Sequence, residues 1–138
     1  MFNTAQNWYK MNMVGLAGYY DPHTISLYTG EVIALMIEGF KLPRNFRQPT
    51  TNLMIIFPPG ESIFYRKPDR FYLNQKLRLK DGRIPGHYFE GSGFNDLSDK
   101  GWARYSFHLT MWKPTRDVIS GTSIYDILEG IYKGLSLL

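Results

Sequence analysis

Two short apolar runs, each cut off by proline, set the limits on what this chain can fold into. Glu31 to Phe40 reads EVIALMIEGF, and Asn52 to Phe57 reads NLMIIF. The first is dense in Val and Ile and ends at Leu42-Pro43. The second stops at Pro58-Pro59-Gly60. Runs of this length and composition read as strands covered on both faces rather than as helices. Ile25 to Tyr28 adds a short strand before the Thr29-Gly30 turn, and Asp69 to Leu73 adds another after the proline-rich turn. The order of strand, loop, strand, turn and strand predicts an antiparallel meander.

The two ends of the chain read differently. Ser123 is a good helix N-cap, and Asp126 sits three residues on, at the positive end of the helix dipole. Ile124, Ile127, Leu128, Ile131 and Leu135 then follow helical spacing and form one apolar face. Gly130 and Gly134 lie four apart on this helix, a spacing that allows close packing. At the other end, Thr4 can cap a short amphipathic turn through Trp8, Tyr9 and Met13, but Gly15 and Gly18 weaken any helix. Met1 to Tyr20 is therefore left without an assigned structure, and residues 1–30 as a whole are an uncertain N-terminal segment. Between the strands and the C-terminal helix, Asp81-Gly82 marks a turn. Gly86, Gly91, Gly93 and Gly101, with Asp96, Ser98 and Asp99, mark a long surface loop of the kind that often carries function.

Composition narrows the chemistry. The 138 residues suit one domain, 43% of them apolar and 20% charged, a globular balance. Cysteine is absent, which excludes disulfides, thiolate metal sites and a cysteine nucleophile. The three histidines are widely spaced and form no metal motif. No glycine-rich phosphate loop opens a helix, and no serine sits in a nucleophile elbow. No cofactor is expected. The N-terminus does not read as a signal peptide, and Val32 to Ile37, the longest apolar run, cannot span a bilayer, so a cytoplasmic protein with no membrane partner is expected. Net charge is +4, with seven Lys or Arg against two Asp between Arg66 and Arg83. That stretch reads either as a solvated loop and edge strand or as a docking surface for an acidic partner or nucleic acid.

The segment Gly101 to Pro114, GWARYSFHLTMWKP, concentrates the remaining candidates. In an extended segment residues two apart share a face, so Arg104, Ser106 and His108 form a row. A serine hydroxyl needs a base to become a nucleophile, an imidazole can serve near neutral pH, and a guanidinium can stabilise charge on a carbonyl oxygen. The same residues also fit a hydrogen-bonded structural role beside a tryptophan-rich core. Trp102 and Trp112 fit either core packing or a contact surface.

Taken in order, Phe57-Pro58-Pro59-Gly60, Pro68-Asp69-Arg70-Phe71-Tyr72 and Trp112-Lys113-Pro114 resemble the ubiquitin-conjugating enzyme (UBC) superfamily. Trp102-Ala103-Arg104-Tyr105-Ser106-Phe107-His108, followed by Trp112-Lys113-Pro114-Thr115-Arg116-Asp117, is similar to a prokaryotic branch often encoded beside multi-ubiquitin-like proteins, activating enzymes and JAB-type peptidases. The resemblance covers about Glu31 to Leu138. It implies a single α+β domain over 1–138 with a UBC-like fold, an antiparallel β-meander packed against a C-terminal helix. The partners it implies are a ubiquitin-like protein, the activating enzyme of the same operon and a JAB-type peptidase; nucleic acid bound by the basic stretch from Arg66 to Arg83 is a third and weaker reading.

The pattern departs from the family at three places. Thr115 replaces a glycine, Glu61-Ser62 replaces Tyr-Pro after the Pro-Pro-Gly turn, and residues 1–30 lack the clear amphipathic helix by which eukaryotic members dock on the activating enzyme. By its spacing to Trp112, the family's catalytic position falls near Arg104 to Ser106. With no cysteine present, the resemblance implies an oxyester on Ser106, with His108 as base or positioning group and Arg104 near the carbonyl. It places Trp102, Trp112 and Asp117 at partner contacts. The alternative is a non-catalytic variant that binds a ubiquitin-like protein or a partner subunit.

Overall fold

The two apolar runs pair with each other at the heart of a six-stranded antiparallel sheet. The computed structural model of the chain describes residues 4–68, 70–90, 96–109, 111–118 and 120–138. Asp69, Gly91, Gly93 and Thr110, which figure in the sequence reading, lie outside the described residues. The elements are α1 (Thr4–Leu16), β1 (Ile25–Thr29), β2 (Ile33–Lys41), β3 (Thr50–Phe57), β4 (Arg70–Asn74), β5 (Tyr88–Phe89), β6 (Trp102–Tyr105) and α2 (Ile124–Ser136). Strand order is β1-β2-β3-β4-β6-β5. The predicted meander is therefore present, and the chain then returns as β6 beside β4. In the segment read as a long loop, the described residues include a short edge strand on β6 at Tyr88–Phe89 and a 3-10 turn at Ser98–Lys100.

Alternate residues of the apolar runs serve two clusters, which is why the runs are continuous. Leu35, Ile37, Leu53, Ile55 and Phe57 join Phe71, Leu73, Ala103 and Tyr105 in the main core beneath both helices. Their neighbours Ala34 and Met54 point to the opposite face, where they meet Tyr72, Met36, Ile56, Leu97 and Trp102. A bulge between Ile37 and Phe40 shifts the register and returns Phe40 to the main core.

The N-terminal segment, left unassigned in the sequence reading, opens with a helix. Over Thr4–Leu16 the buried face is Ala5, Trp8, Tyr9, Asn12 and Leu16. The stripe was hidden because it is built from aromatics and an asparagine rather than aliphatics, and because Gly15 falls in the last turn. Glu61, one of the two residues that replace the family's Tyr-Pro, explains part of this outcome. Its carboxylate accepts a hydrogen bond from Ala5 N at 3.3 Å, satisfying an orphan donor at the start of α1.

Helix α2 is held at both ends by asparagines from elsewhere. Ser123 and Asp126 form a capping box, as the sequence predicts. Asn12, 5% exposed, accepts from Ile124 N at 2.7 Å and donates to Trp8 O at 2.8 Å, tying α1 to the start of α2. At the other end Asn45 Nδ2 donates to Leu135 O at 2.9 Å and Leu138 O at 3.2 Å, satisfying terminal carbonyls.

The glycine pair of α2 is the seat of Phe107. A Cβ on Gly130 would stand 3.0 Å from Phe107 Cζ, and one on Gly134 would stand 3.2 Å from the Tyr105 hydroxyl and 3.4 Å from Phe107 Cε2. Phe107 also meets Phe71 edge-on at 5.3 Å. The close packing expected of the glycine spacing is thus real, and it fixes the residue between Ser106 and His108.

Two measurements check these contacts. Asn12→Ala strands the Ile124 amide and lowers the unfolding free energy by about 1–3 kcal/mol. In urea denaturation this is read as a lower midpoint at unchanged slope. Gly130→Ala gains helix propensity of about 1 kcal/mol but crowds Phe107. In a double-mutant cycle it is therefore more favourable in a Phe107→Leu background than in the native chain, by about 0.5 kcal/mol or more. Additive effects would show that the ring and the glycine are not in contact.

Candidate functional site

β6 ends at Tyr105, so Ser106 is the first residue past the ladder. Its amide still donates to His87 O at 2.8 Å, which keeps the chain extended for one more step. His87 has a φ of 60°, a left-handed conformation uncommon outside glycine, as the chain turns into β5. The side chains of residues 105 to 108 then divide between two sides. Tyr105 and Phe107 pack toward α2, while Arg104, Ser106 and His108 line one cleft of about 260 Å3 together with Lys67, Pro68, Phe89 and part of Phe107. The row predicted from the sequence is therefore brought together.

Within the cleft the groups are near each other without being locked. Among the described residues no hydrogen bond joins the Ser106 hydroxyl to His108 or Arg104. His108 is exposed and Ser106 half-buried. Arg104 stands opposite Tyr72 in the β4–β6 ladder and makes no ion pair among the described residues. Lys67 reaches the same place from the loop before β4, its ammonium donating to Leu109 O at 3.2 Å. Tyr105 is not a competing nucleophile here. Burial pushes its phenol up, and the hydroxyl lies against Gly134 on the α2 side. Tyr72 stays a neutral donor for the same main reason, burial, reinforced by its 2.9 Å hydrogen bond to Asp96.

A second, larger cavity of about 660 Å3 lies on the other side of the same segment. Phe107, His108, Met111, Lys113, Thr122 and Asp126 are among its walls, so His108 stands between the two spaces.

The three proposed partner contacts do not form one surface. Trp102 belongs to the apolar cluster on the helix-free face, with Met36, Ile56 and Leu97. Trp112 lies on the helix side, where its indole donates to Ile63 O at 2.8 Å and meets Trp8 edge-on at 5.8 Å. Asp117 is exposed and accepts from Ser120 Oγ at 3.0 Å and from the Thr115 hydroxyl, closing the turn after Pro114. Thr115, read in the sequence as a departure at a glycine position of the resembled pattern, thus has a partner. The tight approach in this loop falls instead at Gly121, where a Cβ would meet Lys113 O at 2.4 Å.

Sequence reasoning missed Lys67, His87 and Phe89. Lys67 sits in the basic stretch, which the structure divides. Arg78 pairs with Glu90 at 2.8 Å and Arg83 with Asp81 at 2.6 Å, whereas Lys67 turns into the cleft. No local signal marks it, because the approach depends on how the loop before β4 crosses the end of β6. Among the described residues no cluster of three or more potential metal ligands occurs, and no helix is long and apolar enough to cross a membrane.

Comparison with known proteins agrees with this architecture. A model described as "Prokaryotic E2 family E" matches residues 24–131, most of the chain, including every strand and the cleft. No curated protein and no solved structure matches. An antiparallel sheet with a C-terminal helix packed on it, together with that match, settles the family: the chain belongs to a prokaryotic family of ubiquitin-conjugating-enzyme-like proteins.

Proposed function

We propose that this protein carries a ubiquitin-like protein as an oxyester on Ser106. The observation that carries the reading is the convergence of Arg104, Ser106 and His108 on one cleft in a conjugating-family chain without cysteine. The cognate activating enzyme would present the ubiquitin-like protein as a thioester. Ser106 Oγ attacks its carbonyl carbon, the C–O bond forms, the C–S bond breaks, and the departing thiolate takes up a proton. His108 accepts the hydroxyl proton, which makes the serine a competent nucleophile. The Ser106 amide is already committed to His87 O, so the charge developing on the carbonyl oxygen is met by the Arg104 guanidinium. An acceptor amine then attacks the oxyester and releases Ser106. A JAB-type peptidase acting on the products would complete the set of partners.

A second reading, a non-catalytic subunit that binds a ubiquitin-like protein, is favoured by one observation. The Ser106 hydroxyl and His108 are not hydrogen-bonded to each other in the free protein. An activated pair often tightens only when substrate binds, so this geometry is compatible with both readings.

Incubation with activating enzyme, ATP and ubiquitin-like protein separates them. The first reading expects a covalent adduct that survives thiols, yields to hydroxylamine and is absent in Ser106→Ala. It also expects His108→Gln to slow formation by about 10²-fold or more. Absence of any adduct, under conditions that charge the activating enzyme, selects the binding subunit.

A further inference from the structure

The cleft around Ser106 has a charge imbalance that acyl transfer does not by itself require. Lys67, Arg104 and His108 all line it, and among the described residues no carboxylate does. Among the described residues, two carboxylates near this end of the sheet are engaged elsewhere. Asp96 is held by the Tyr72 hydroxyl at 2.9 Å and Glu90 by Arg78 at 2.8 Å. Arg104 has no ion-pair partner among the described residues, and Lys67 spends one of its three donors on Leu109 O. Two cations beside a hydroxyl, at the end of a sheet, make a site for an oxyanion.

We propose that this cleft binds the free C-terminal carboxylate of a peptide chain, with Arg104 and Lys67 as the charged contacts and the Ser106 hydroxyl as a neutral donor. The inference rests on the reading that the protein handles the C-terminus of a ubiquitin-like protein, and it names the group recognised there. The carbonyl oxygen under attack carries partial negative charge only fleetingly, whereas the free carboxylate carries a full charge in its ground state. A cleft that meets the first therefore holds the second, so a ubiquitin-like protein with a free C-terminus, before activation or after hydrolysis of its oxyester, occupies the site. The volume, about 260 Å3, suits a short tail of small residues rather than a bulky one.

The test uses the full chain, 15N-labelled, and follows amide and Arg104 Nε resonances by NMR. The probes are acetyl-Ala-Ala-Gly with a free carboxylate, its C-terminal amide, and inorganic phosphate, each raised to about 10 mM. The expected result is that the carboxylate peptide shifts resonances around residues 104–109, while the amide binds about tenfold more weakly. Lys67→Gln and Arg104→Gln each weaken the carboxylate peptide by a similar factor. Lys133→Gln, which removes the same charge from an exposed position on α2, leaves its binding within about twofold.

Equal binding of acid and amide, no shifts at this end of the sheet, or an unchanged affinity in Lys67→Gln would overturn the proposal. So would phosphate binding that exceeds the peptide's, because it would mark a phosphate site. Ser106→Ala separates this inference from the oxyester reading. If the variant cannot be charged yet binds the carboxylate peptide, the anion site stands on its own. If the native chain is charged but shows no preference for the carboxylate, the oxyester reading stands and the anion site falls.

Discussion

The ring of Phe107 seated against Gly130 and Gly134 is the contact on which the rest of this site depends. It anchors a segment that has already left the sheet and has no ladder to hold it. With Phe107 and Tyr105 packed toward α2, alternation of the backbone turns Arg104 and Ser106 to the cleft and leaves His108 between the cleft and the larger cavity. Any larger residue at position 130 would push against that ring. The glycines lower the intrinsic helix stability of α2, and what they allow in return is a close approach that positions three polar side chains.

That approach works only if α2 itself is fixed, and polar tethers accomplish this. Asn12 ties the start of α2 to α1, Asn45 ties its end to the loop between β2 and β3, and Glu61 ties the start of α1 to the turn after β3. These bonds satisfy backbone groups that helix termini necessarily leave open. Removing one partner from such a buried arrangement strands the other, so the tethers specify position more than they add strength. Trp112, wedged against Trp8 and bonded to Ile63 O, joins the loop after the cleft to the same framework.

Much of the fold was legible because its signals were local. The apolar runs ending at Pro43 and Pro58, the Ser123–Asp126 capping box and the α2 stripe each declare their structure within a few residues. The helix over Thr4–Leu16 was not legible, because its core face uses Trp8, Tyr9 and Asn12, and because its first free amide is satisfied by Glu61 from far along the chain. The site was half legible. Strand periodicity joined Arg104, Ser106 and His108, but Lys67 reaches the cleft from the loop before β4, and Phe89 from the two-residue strand β5 paired with Arg104, neither of which a local spacing encodes. Likewise Trp102 and Trp112, close in sequence and alike in type, lie on opposite faces of the sheet, since the chain leaves the ladder between them.

The proposed transfer rests on one oxygen atom, the Ser106 hydroxyl. Tryptic mass spectrometry of the charged protein addresses it directly, because cleavage after Arg104 and Arg116 isolates Tyr105 to Arg116 as one peptide. The account predicts that the remnant of the ubiquitin-like protein maps to Ser106 within it. A remnant on another residue, or an unmodified peptide from a protein shown to be charged, would contradict the account.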